Sequence, residues 1–158
     1  MNENYLNVLE ESLQKKLQVM AKIQDYNLRQ QEIFRSENVE LEKFDEYVAE
    51  KGALIDEVTA LDSGFETLYA KVSAELAENR DKYADQIKRL QELVSRVTEE
   101  SVSIQAQEAR NKKLVEDYFS RERTNIGRNR RSSKAAYDYY KSMSQTNVVP
   151  PQFMDDKK

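Results

Sequence analysis

The sequence predicts an all-α fold: three long antiparallel helices forming an elongated bundle or coiled coil, followed by a flexible or short-helical C-terminal tail. Three observations carry this. The 158 residues hold three glycines and two prolines, and the prolines sit together at Pro150 and Pro151, so nothing before them forces a long helix to break. One seam alternates steps of three and four from Leu41 through Phe44, Val48, Lys51, Ile55, Val58, Asp62, Phe65, Tyr69 and Val72 to Leu76, and nine of its eleven positions are apolar or aromatic. Charged residues make up 34% and hydrophobic residues 39%, a balance that suits a slim rod with much surface rather than a compact globule.

The first helix is expected over about residues 3–34. Asn2 or Asn4 can cap its free N–H groups, and Leu6, Leu9, Leu13, Leu17, Met20 and Ile23 make its stripe. The stripe turns polar at Asn27, Gln30 and Gln31 before Ile33 and Phe34 return. A break is placed at about 34–37, with Ser36 as N-cap of the next helix. That second helix is expected over about 37–77, roughly 60 Å at 1.5 Å per residue. Leu54, Leu61 and Leu68 flank its seam, which widens the stripe beyond what a two-stranded zipper needs. Gly52 and Gly64 stand inside it, yet the heptad phase survives both, so one continuous helix is expected. Asn79 or Asp81 is taken as the cap of a third helix, over about 80–126. Its seam runs Tyr83, Ile87, Leu90, Val94, Val97 and Ile104. The pattern fades from Gln105 to Lys113, then returns at Leu114, Val115, Tyr118 and Phe119. Gly127 suits the left-handed end of this helix.

Residues 1–126 therefore read as the bundle and 127–158 as a basic, tyrosine-containing tail, expected to be mobile or ordered by docking. The tail holds seven basic and three acidic residues, +4, which leaves −8 for the preceding 126 of a chain whose net charge is −4. No cysteine and no histidine occur, so disulfides, thiolate chemistry and the commonest general base are excluded. The adjacent pairs Glu10–Glu11 and Glu99–Glu100 diverge by about 100° on a helix and do not converge on one site. A di-iron bundle requires Glu-x-x-His, which is absent. No catalytic, cofactor or metal residue is assigned, and no enzyme is expected. Arg128, Arg130, Arg131 and Lys134 lie near tyrosines, but the run is short in an acidic chain, so no nucleic-acid partner is expected. No apolar run reaches about 18 residues and the N-terminus lacks a basic stretch before an apolar core; no transmembrane segment, no secretory signal and a cytoplasmic location are expected.

Two clusters are candidate partner-binding residues. Leu114, Val115, Tyr118 and Phe119 return after a polar stretch and form a patch suited to helix-in-groove recognition, on the expectation that they lack partners within the fold. Tyr137, Tyr139, Tyr140 and Met143 have two readings: a short helix packing on the bundle end, or a segment that covers an apolar groove used by a partner.

The stretch Ser36-Glu37-Asn38-Val39-Glu40-Leu41-Glu42-Lys43-Phe44, with Val48 through Leu61 after it, resembles the second helix of flagellar export chaperones of the FlgN type. Tyr83 through Leu93 is similar to their third helix, and Ala135-Ala136-Tyr137-Asp138-Tyr139-Tyr140 with Gln152 through Lys158 to their tail. The resemblance implies a cytoplasmic chaperone of the flagellar type III export system. Its partners would be the amphipathic C-terminal helices of hook-associated, hook–filament junction proteins and the export apparatus. It offers no catalytic residues. The competing expectation is a structural coiled coil that self-associates, a homodimer included.

Overall fold

The computed structural model describes residues 3–122, and in them the chain forms three helices: α1, Glu3–Arg35; α2, Leu41–Glu78; and α3, Ala84–Arg121. Among the described residues there is no strand. The bundle is all-α, as the seam spacing requires.

Cross-helix contacts fix the directions. Lys16 meets Asp62, Asn27 meets Lys51 and Phe34 meets Phe44, so α2 runs antiparallel to α1. Glu10 meets Arg89, Gln24 meets Glu100 and Asn27 meets Gln107, so α3 returns parallel to α1. The backbone of α1 approaches both other helices closely, whereas α2 and α3 approach each other less. This explains why α1 is buried over the widest arc: Leu6, Leu9, Leu13, Leu17, Met20 and Ile23 are buried as the periodicity requires, and Lys16, Val19, Asn27 and Gln30 are buried with them.

In α2 the deepest line is the strict heptad Phe44, Lys51, Val58, Phe65, Val72. Leu54, Leu61 and Leu68 are half-buried beside it and pack on the core. The helix is continuous through both glycines, and a Cβ at Gly52 or Gly64 would meet nothing within 4 Å among the described residues. Neither glycine is there to make room or to turn the chain.

The helix ends differ from the sequence expectation. Ser36 does not cap α2. Its hydroxyl bonds within the connection, donating to the carbonyl of Asn38 and accepting from the Asn38 N–H, and α2 starts after Glu40. Two polar residues that favour local bonds, Ser36 and Asn38, lengthen the link at the expense of the helix. Asn79 ends α2 rather than starting α3: its N–H and side-chain amide both reach back to the Glu75 carbonyl. Tyr83, buried, stands just before α3. Gly127 and the tail lie outside the described residues.

The seam of α3 also departs from the apolar reading. Leu93 is buried and Val94 half-buried, and the line continues without a gap through Val97, Ser101, Ile104, Glu108, Asn111 and Val115. The stretch from Gln105 to Lys113 fades in hydropathy but not in burial.

Candidate functional site

At the end of the bundle where α1 passes to α2, a second apolar cluster is separate from the main core. Ile33, Phe34, Phe44 and Val115 are its buried members. Val39, Leu41, Tyr47, Val48, Leu114, Tyr118 and Phe119 pack against them, half-buried. The tip is aromatic because Phe34 and Phe44 sit on either side of the connection, so that the hairpin brings them together. Their ring centroids are 4.9 Å apart at 76°. Phe34 meets Tyr118 at 5.5 Å, and Tyr118 meets Phe119 at 5.2 Å, both edge-to-face. Such pairs add about 0.5–1.5 kcal/mol each beyond area burial. Burial raises the pKa of the Tyr118 hydroxyl, and the Glu122 carboxylate adds to that.

The structure thus brings Leu114, Val115, Tyr118 and Phe119 together on the last turns of α3 but gives them partners. The expectation that this return lacks partners within the fold is corrected: the hairpin tip covers its inner side. Val115 is 4% exposed and supports the cluster from beneath. Leu114, Tyr118 and Phe119 keep an accessible side, as do Leu41 and Val48. Tyr137, Tyr139, Tyr140 and Met143 lie outside the described residues. The hairpin partners Ile33, Phe34, Leu41, Tyr47 and Val48 belong to the same cluster, and sequence spacing does not single them out as part of the site. Only the observed link between Arg35 and Leu41 sets Phe34 opposite Phe44; a break at about 34–37 does not.

Around the corner, Arg29 stacks near the rings of Tyr26 and Tyr47, at 5.3 and 5.9 Å, while pairing with Asp25 at 2.9 Å. A shallow cleft of about 280 Å³ opens there, lined in part by Arg29, Ile33, Ser36, Lys43 and Tyr47. The Glu50 side chain, by hydrogen bonding to the Tyr26 hydroxyl, raises the pKa of that phenol.

Behind the tip cluster lies a buried polar layer. The Lys51 ammonium is fully buried and donates to Asn27 Oδ1 at 2.6 Å and to the two Glu108 carboxylate oxygens at 2.9 and 2.7 Å. Asn111 donates to the Asn27 carbonyl at 2.9 Å, and the Asn27 amide donates to Gln107 at 3.0 Å. Gln30 is buried at the same level. Desolvation lowers the Lys51 pKa to about 8 despite the neighbouring Glu108 carboxylate. A second charge, Lys16, is buried farther along and reaches Asp62 at 2.6 Å. Asn27, Gln30, Lys51, Glu108 and Asn111 occupy seam positions at which the sequence is polar.

Among the described residues, no group of three or more acidic side chains is gathered as a metal site, and no helix is long and apolar enough to cross a membrane. What the geometry offers is a half-buried aromatic ledge at one end of a rod. No protein-family model, no curated protein and no solved structure matches this chain.

Proposed function

We propose that this chain is a flagellar export chaperone of the FlgN type, which holds the amphipathic C-terminal helix of a hook-associated protein against the tip of its bundle and delivers it to the export apparatus. The observation that carries the reading is the ledge of Leu41, Val48, Leu114, Tyr118 and Phe119, half-buried on one end of a slim helical rod. An amphipathic helix needs an apolar strip with polar edges, and this ledge has aromatic anchors flanked by charged residues such as Glu116, Asp117 and Arg121. The resemblance in sequence supplies the client class. Val115 acts through the core in this reading, and Tyr137, Tyr139, Tyr140 and Met143 would clasp the client helix or take its place.

The test is capture of a purified hook-associated protein by the full chain and by Tyr118→Ala/Phe119→Ala. Loss of at least ten-fold in affinity is expected, with the helix content of the variant checked by circular dichroism. Unchanged capture rejects the ledge.

A self-associating coiled coil is the second reading, favoured by the half-buried line Leu54, Leu61 and Leu68 along α2. Sedimentation separates the two. A monomer that forms a defined complex with the client supports the chaperone, and a concentration-dependent homo-oligomer that ignores the client supports the scaffold.

A further inference from the structure

Three interruptions of three hydrophobic seams meet at one level of this bundle. Asn27 and Gln30 come from α1, Lys51 from α2, and Glu108 and Asn111 from α3. On one side of them lies the tip cluster, with four buried apolar residues; on the other lies the main core, with seventeen among the described residues. The disproportion matters because a unit of four can be undone at a cost far below that of the whole molecule.

We infer that the polar layer divides the bundle into two cooperative units, so that the tip — α1 beyond Gln30, α2 before Lys51 and α3 beyond Asn111 — opens as one while the main core stays packed. The cost of a local opening depends on what it uncovers. If the layer behind the tip were apolar, opening would bare the face of the main core to water, and the two clusters would unfold together. Here the arriving water meets an ammonium, a carboxylate and carboxamides, all groups that hydrate well. The layer stays bonded within itself through Lys51, Asn27, Glu108 and Asn111, and the apolar side chains behind it stay covered. Opening also frees Phe34, Phe44, Val115 and Tyr118 together, since their rings and methyls cover one another. The division is a property of the free chain and does not rest on the chaperone reading.

Native-state hydrogen exchange along a urea series tests it on the full chain. The amides of residues 31–35, 44–50 and 112–120 are expected to share one opening whose urea slope is clearly above zero and well below that of residues 90–104. Simple fraying of helix ends has no urea slope, so slopeless exchange that differs from amide to amide overturns the inference. A tip that opens with the full global slope overturns it as well. In Asn27→Leu/Lys51→Met/Glu108→Leu the tip amides are expected to gain at least ten-fold in protection and to merge with the global opening. A folded variant whose tip still opens with the wild-type slope shows that the layer is not the boundary. Should that variant fail to fold, the wild-type slopes alone decide between two units and one.

Discussion

Lys51 of α2 and Glu108 of α3 face each other inside the bundle, with the ammonium nitrogen 2.7 and 2.9 Å from the two carboxylate oxygens and neither side chain more than one-tenth exposed. Asn27 of α1 completes the contact, so one buried interaction ties all three helices at the same level. Removing one partner leaves a charge without compensation in the core. Lys51→Met or Glu108→Leu alone is expected to destabilise the fold by about 3–5 kcal/mol. The paired change Lys51→Met/Glu108→Leu is expected to recover most of that loss, because well-packed apolar residues replace a buried pair at little net cost. Urea unfolding of the four proteins closes the cycle, and a double variant as unstable as the sum of the singles would contradict it.

The same lysine predicts a pH dependence. Its pKa in the folded chain is about 8, below the ordinary 10.5, because burial disfavours the charged form more than Glu108 favours it. Between those two values the unfolded chain binds more protons, so this group's contribution to stability rises with pH. Below about pH 8 the ammonium is present in both states and the contribution is constant at its least favourable. Above pH 10 the raised phenols of Tyr26 and Tyr118 act oppositely, since the unfolded chain releases those protons first. Wild type is therefore expected to gain stability relative to Lys51→Met from pH 8 to pH 10. Lysine side-chain resonances followed by NMR over the same range should show one group titrating near 8.

Gly64 is exposed in the middle of α2, and among the described residues nothing stands within 4 Å of where a Cβ would be. Gly64→Ala is expected to stabilise by about 0.5–1 kcal/mol, the helix-propensity difference between the two residues. Gly52→Ala should do the same, and the two should add, because they lie twelve residues apart on one helix. An increase in the urea midpoint without a change in slope is the expected signature.

Ser101 sits in the α3 seam at 2% exposure, with no hydrogen-bond partner for its hydroxyl among the described residues. Ser101→Ala removes an unpaired buried group at almost constant volume and is expected to stabilise by about 1 kcal/mol. A loss of stability in thermal unfolding would show that the hydroxyl is bonded after all.

Helix number, direction and most core residues could be read from spacing, because burial on a helix follows a period that the sequence displays. Phe44, Val58, Phe65 and Val72 are core by that rule, and they are buried. The rule fails where the seam is polar. Asn27, Lys51 and Glu108 each look like lapses along their own helix, and only the three-helix register makes them partners. Helix ends were less legible still, since Ser36 and Asn79 can bond forwards or backwards and local geometry chooses between the two. For the ledge, the periodicity located Leu114, Tyr118 and Phe119, but it could not show that Phe34 and Phe44 cover their inner side.

The constant pairing of α1 with α2, from Lys16–Asp62 through Asn27–Lys51 to Phe34–Phe44, leaves no slack for length changes in a single helix. A heptad deleted from α2 ahead of Lys51 would shift every later partner by two turns, carrying the Lys51 charge away from Glu108 and to the level of Phe44 in the apolar tip. Shorter or longer versions of this molecule are accordingly constrained to lose or gain seven residues from all three rods together, at matching heights.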